Sequence, residues 1–216
     1  MPKWLKVTLI ALGIGAVGLL IQLLPVIIMV ISSMNAKVEV YDDVSSYENY
    51  LAGADKDGKN KWSKWDMDES IWPRKITDSM KVLDYKMVYF DPWDKQYLGY
   101  LTVEYTPEAY AAEVERLRAY PSTDYIGNYS VTEEKTHELL AVNADPYQGF
   151  VYALALGENR IVYAEQIFCN YMMDLDYTEY IPADYLLDGF NARPDNPYRN
   201  QKMGENMDTA SNMRKP

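Results

Sequence analysis

From Val7 to Ile31 the chain runs 25 residues without a charged side chain, and only Thr8 and Gln22 among them are clearly polar. At about 1.5 Å per residue, a helix of that length is roughly 37 Å long, against a bilayer hydrocarbon core of about 30 Å. Backbone polar groups in lipid must be satisfied within the segment, which favours a helix. The run predicts a transmembrane helix over 7–31, crossing with some tilt. A cleaved signal peptide is the competing reading. Its apolar core is shorter, about 7–15 residues, and it ends in a small-x-small cleavage site. Here the run is too long, and Ser32-Ser33-Met34-Asn35-Ala36 offers only poor sites. An uncleaved anchor fits better. Lys3 and Lys6 precede the run, whereas Lys37 is soon followed by Glu39, Asp42 and Asp43. Basic flanks prefer the cytoplasm, so residues 1–6 are read as cytoplasmic and the rest as outside. Trp4 falls where an interfacial ring would sit, and Pro25 is tolerated in such a helix.

Gly13-Ile14-Gly15-Ala16-Val17-Gly18 matches the G-x-G-x-x-G dinucleotide fingerprint, but that motif needs a preceding strand and a βαβ unit. Inside an apolar span it has neither. At helical spacing Ala11, Gly15, Gly18 and Gln22 share one face. Small residues let two membrane helices approach closely, and a glutamine can hydrogen-bond across, so this face is a candidate for weak homodimer pairing. The plainer reading is that Gly and Ala are common in such helices.

Beyond the span the charge changes character. Residues 38–216 hold 18 basic and 32 acidic side chains, a net charge of −14. Such a domain is repelled by nucleic acid and by anionic headgroups, and solubility is the usual purpose of the charge. Cys169 is the only cysteine and His137 the only histidine. An intramolecular disulfide, a multi-cysteine zinc site and a multi-histidine metal site are thereby excluded. No cofactor or metal is implied.

Residues 32–65 read as a stalk, with a short helix over 44–52 capped by Asp43 and ended by Gly53, then a polar loop. The loop Asp55-Lys56-Asp57-Gly58-Lys59-Asn60-Lys61 faintly resembles a calcium loop. With Gly58 at the turn position the twelfth residue is Lys64, which cannot replace the bidentate glutamate. Residues 66–190 read as one extracytoplasmic α+β domain. Lys81–Phe90 and Gln96–Tyr105 predict a hairpin. Thr106-Pro107-Glu108 opens a helix to about Tyr120, with a cap, an N1 proline and a first-turn acid. Strands are predicted at 125–132, 136–143, 149–156 and 161–170, with a tight turn at Gly157-Glu158-Asn159-Arg160. The order β-β-α-β-β-β-β predicts a mostly antiparallel sheet of about six strands with one main helix packed on it. Residues 191–216 read as a disordered polar tail.

Chemistry is thinly marked. There is no G-x-S-x-G, phosphate loop or H-E-x-x-H. His137 and Cys169 have no companions that would make either a catalytic group. Near pairs of acids are plentiful: Asp66/Asp68, Asp91/Asp94, Glu133/Glu134 and Asp174/Asp176. A glycoside hydrolase needs two carboxyls facing across a cleft, and 32 acids give near pairs by chance. Asn128-Tyr129-Ser130 is a glycosylation sequon that matters only in a host that uses it. The compositional signal for a ligand is a Trp cluster. Trp62, Trp65, Trp72 and Trp93, with Asp66 and Asp68 beside them, form the candidate binding face. Trp is enriched at binding hot spots, but it is also a large core residue.

The runs Trp65-Asp66-Met67-Asp68-Glu69-Ser70-Ile71-Trp72-Pro73, Tyr89-Phe90-Asp91-Pro92-Trp93-Asp94, Ile167–Tyr177 and Tyr180-Ile181-Pro182 resemble uncharacterised single-span, membrane-anchored proteins of clostridia-like Gram-positive bacteria. The likeness spans roughly residues 38–190. It implies a bacterial cell-surface setting and assigns no functional residue. The reading that results is a single-pass, membrane-anchored binding, sensing or accessory domain without catalytic activity. A surface hydrolase using paired carboxylates is the alternative. Expected partners are the bilayer through 7–31 and a protein or cell-envelope component, with no nucleic acid.

Overall fold

A computed structural model describes the chain except residues 1, 55–60, 134–135, 169 and 213–216, and except the side chains of 5–14, 16 and 206–212. Ala11, residues 55–60 of the polar loop, Glu134 and Cys169 thus lie wholly or in their side chains outside the described residues. The chain divides into two compact units, residues 1–37 with 91–93, and residues 38–90 with 94–216.

The first unit is built on one helix, α1 (Lys3–Asn35), with Pro25 inside it. Over Val17–Asn35 its mean hydropathy is 2.4 and none of it is buried in the protein. It is long and apolar enough to cross a membrane. A Cβ added at Gly15 or Gly18 would meet nothing within 4 Å.

The second unit is α+β, as the sequence predicts. Its six strands are β1 (Glu39–Tyr41), β2 (Met80–Phe90), β3 (Gln96–Tyr105), β4 (Glu138–Asp145), β5 (Gly149–Gly157) and β6 (Arg160–Ile167). They lie in the order β1-β2-β3-β6-β5-β4, with every neighbouring pair antiparallel. The helix α2 (Pro107–Arg118) carries the chain from central β3 to edge strand β4. Thr106 caps it through Oγ1, accepting from the Ala109 N–H. Central strands β3 and β6 are buried almost end to end, because both faces of the sheet are covered.

One face presents Tyr97, Leu101, Val103, Tyr163 and Val151 to a layer made of residues 44–54, 61–76 and α2. The other presents Leu98, Tyr100, Phe150, Tyr152 and Ala164 to the loop around Tyr129 and to residues 168 and 170–192. Two covered faces explain why so many apolar residues fall outside strict alternation.

Three expectations change. The supposed stalk is part of the domain: β1 pairs with β2 from Glu39↔Tyr89 to Tyr41↔Met87, and Val44–Tyr50 is a 3-10 turn whose Tyr47 is buried. Three residues are too few for alternation to reveal a strand. Asp43 does cap the turn, accepting from the Ser45 N–H at 2.9 Å. The segment 125–132 is no strand. Gly127, Tyr129 and Ser130 all have positive φ, and the Gly127 N–H returns to the Val131 carbonyl at 2.8 Å. Tyr129 is thereby driven into the core against Phe150 and Phe168. Finally, the region read as a disordered tail packs: Ala192, Asn196 and Arg199 are buried, and α3 covers Pro197–Asn212. Its polar groups are held locally, with Asn196 Nδ2 donating to Ser130 Oγ at 2.7 Å and Arg199 to the Ala192 carbonyl at 3.3 Å.

Candidate functional site

The tryptophans do not share a surface. Trp62 and Trp72 are buried, Trp65 is partly covered, and Trp93, 45 % exposed, belongs to the first unit. Trp62 packs among Tyr41, Tyr50, Tyr89 and Tyr97, with ring centroids 5.1–5.9 Å apart. Trp72 stacks on Tyr47 and leans on Tyr163, both at 6.2 Å. Trp65 donates its indole N–H to the Lys95 carbonyl at 2.7 Å. Asp66 points to solvent, whereas Asp68 accepts from the Ser70 N–H and hydroxyl and from the Tyr120 hydroxyl. Trp62 and Trp72 thus serve the packing of the layer over the sheet, the role large rings most often take.

What that layer encloses is a charged site. Lys64, Trp65 and Asp66 all have positive φ, of 47°, 54° and 60°. Each L-residue held there costs about 1–2 kcal/mol. Such strain persists only where surrounding structure over-determines it. Here the turn is closed by the Asp66 N–H on the Ser63 carbonyl at 2.9 Å and the Met67 N–H on the Lys64 carbonyl at 3.0 Å. Its effect is to drop the Lys64 side chain onto the sheet, where it is 0 % exposed. Lys64 Nζ donates to Glu165 Oε1 at 2.7 Å and to Glu69 Oε1, and lies 5.9 Å and 5.6 Å from the Trp62 and Tyr97 rings. Glu165 comes from β6, between Tyr163 and Ile167 on the same face, and is also 0 % exposed. Glu69 accepts from the Ala52 N–H as well.

One ammonium cannot balance two carboxylates, and burial disfavours the surplus charge. Burial, together with the charge of Glu69, pushes the Glu165 carboxyl well above its usual range despite Lys64. Burial would also raise Glu69, but the Lys64 charge together with the hydrogen bonds from Glu165, Lys64 and the Ala52 N–H outweighs it and holds Glu69 low. Burial would lower Lys64, and the two acids outweigh that and hold it charged. These directions favour charge on Lys64 and Glu69 and a proton on Glu165.

The segment after Glu69 is pinned from α2. Arg116 donates to the Ser70 and Ile71 carbonyls at 2.8 and 2.7 Å and forks onto Glu113 at 2.7 and 2.8 Å. Glu113 accepts in turn from Tyr163 at 2.5 Å, and Tyr163 shares a 2.6 Å bond with Tyr105. Over this chain lies a groove of about 570 Å³ whose lining includes Trp72, Arg74, Lys75, Tyr105 and Arg116. A smaller recess of about 230 Å³ is lined by Leu51, Ala52, Glu69 and Trp72 among others. Among the described residues no group of three or more His, Cys, Asp or Glu is placed to hold a metal ion. His137 lines a small cavity with Thr136 and Asp188 on the other side of the sheet.

Sequence reasoning missed Lys64, Glu69 and Glu165 as a set. One signal was available: Glu165 is the only charge in the apolar run Ile161–Ile167. A lone acid in a central strand calls for a buried partner. Nothing in the polar stretch around Lys64 marks it as that partner. No protein-family model, curated protein or solved structure matches the chain.

Proposed function

We propose that the chain is a single-pass, cell-surface protein. The helix α1 stays attached with its N-terminus in the cytoplasm and displays the α+β domain outside as a binding, sensing or accessory module that turns over no substrate. The observation that carries this reading is the wholly unburied apolar window of α1, with Lys3 and Lys6 before it and an acidic domain after it. The flank asymmetry supports the orientation. The large groove beside α2 supports binding. It gathers Arg74 and Lys75, beside an Arg116 already paired with Glu113, on a domain of net charge −14, a local excess of positive charge suited to an anionic group of a protein or envelope partner. Protease added to intact cells should remove the domain. Protection until lysis would refute the orientation, and release into the medium with a new N-terminus near Lys37 would make the apolar run a signal peptide.

A further inference from the structure

We propose that Lys64 and Glu165 condense into an intramolecular amide, with Glu69 as the acid–base group. The inference rests on the buried site alone and does not depend on the membrane reading. An amine and a carboxyl group are held at 2.7 Å by two backbone segments 101 residues apart in sequence, both side chains sealed from solvent. Reacting groups so fixed reach effective molarities of about 10⁵–10⁸ M, which is what a condensation between two weak partners requires. The surroundings exclude bulk water, the reactant that would reverse it.

The roles follow from the contacts. Glu165 is the acceptor because it is wholly buried and, among the described residues, accepts only from Lys64, whereas Glu69 also accepts from the Ala52 N–H. That setting favours the neutral form of Glu165, whose Cδ is an electrophile as the carbon of an ionised carboxylate is not. Glu69 is the base because it is the ionised partner, already bonded to the Lys64 ammonium and to the Ala52 N–H. The ammonium gives one proton to Glu69 along that hydrogen bond. The freed amine attacks Glu165 Cδ and forms the C–N bond. The tetrahedral carbon then expels its hydroxyl, which takes the proton from Glu69 and leaves as water. The second amine proton passes to Glu69, so the site ends as a neutral amide, one water and a protonated Glu69. Atoms and charge balance: an ammonium, a carboxylate and a carboxylic acid become an amide, a carboxylic acid and water, with no external reagent. The water has a way out, since Glu69 lines the recess of about 230 Å³ beside Leu51 and Trp72.

Two features favour the reaction over a permanent ion pair. Burying an ammonium with a carboxylate is often no better than burying apolar groups, so loss of both charges relieves the site. The resting ammonium makes the amine form scarce, but the step happens once per molecule and needs no turnover. The product would tie the left-handed turn at Lys64 to the central strand β6, a covalent brace in a chain whose single cysteine allows no internal disulfide.

Mass spectrometry of the purified full-length chain in detergent decides the matter. The protein should be lighter than its sequence mass by one water. Trypsin should leave Lys64 uncut and yield a branched peptide joining Trp62–Arg74 to the peptide that begins at Ile161. K64R and E165A should have their full sequence masses, and E69Q should retain the water or lose it far more slowly. A wild-type chain at its full sequence mass overturns the proposal, whatever the variants do. Loss of water that persists in E165A, or a branch from Lys64 to Glu69, overturns the assigned acceptor.

Discussion

Trp72 and Trp93 offer a direct comparison of the same side chain in two settings. Trp72 is 2 % exposed and sandwiched by Tyr47 and Tyr163, whereas Trp93 is 45 % exposed. Emptying a core Trp site costs about 3–5 kcal/mol, and surface changes stay within about ±0.5 kcal/mol. Thermal or denaturant unfolding of Trp72→Ala and Trp93→Ala should therefore differ by several kcal/mol, the first variant being the weaker. Trp72→Phe adds a finer test. The Trp72 Nε1 atom has no acceptor, so the indole donor is already a burden. Phenylalanine keeps a ring in the stack and removes the orphan, and should recover much of what alanine loses. Equal losses for Phe and Ala would mean that ring stacking contributes little at this position.

The elements differ in how much of them could be read. The hairpin β2–β3, the capped helix α2 and strands β5 and β6 follow from local chemistry: β-branched and aromatic runs, a Thr-Pro-Glu start, and a two-residue turn in which Glu158 and Asn159 take positive φ. The strand β1, the turn at Tyr129 and the packing of 192–199 depend on partners far away in the chain, which no local pattern encodes. The same holds for the site. Glu165 could be suspected from its own strand, but Lys64 is placed by a strained turn whose φ values no sequence rule anticipates. The C-terminal packing gives the sharpest test at this scale. Truncation after Asn191 removes the bond from Asn196 to Ser130, the bond from Tyr198 to Asn128 at 3.2 Å and the burial of Ala192. It also uncovers Tyr129, whose ring meets Tyr198 at 4.9 Å. A loss of about 2 kcal/mol is expected, which for a domain of this size lowers Tm by roughly 4–8 °C. An unchanged Tm would return these residues to the status of a loose tail.

At the scale of the whole molecule, the excess of acids makes stability a question of which carboxylates the fold holds ionised. Glu39, Asp68 and Asp176 are among those held low outside the buried site and away from α1. For Glu39, burial raises the carboxyl, but hydrogen bonds from Lys61 and Tyr41 outweigh it and hold it below its usual 4.5. For Asp68, burial is likewise outweighed by the Ser70 and Tyr120 hydrogen bonds, which hold it below 3.8. Asp176 is lowered by its hydrogen bonds from Thr178, again from 3.8. A carboxyl whose folded pKa lies below its unfolded value binds fewer protons in the native state. Its contribution is fully present above the unfolded value, near pH 4–4.5 for these groups, and is lost as pH falls through the lower folded value. Self-repulsion of a net −14 domain acts in the opposite sense, since protonating unpaired acids on the way down from neutral pH relieves it. The two terms predict a Tm that holds or rises slightly from pH 7 to about pH 5 and then falls below pH 4. The acid limb belongs in part to Asp68. Asp68→Asn cannot ionise, so it should lower Tm at neutral pH and make the decline below pH 4 shallower, the two curves converging in acid. A variant curve that runs parallel to the wild type through the acid limb would show that Asp68 is not held ionised by Ser70 and Tyr120.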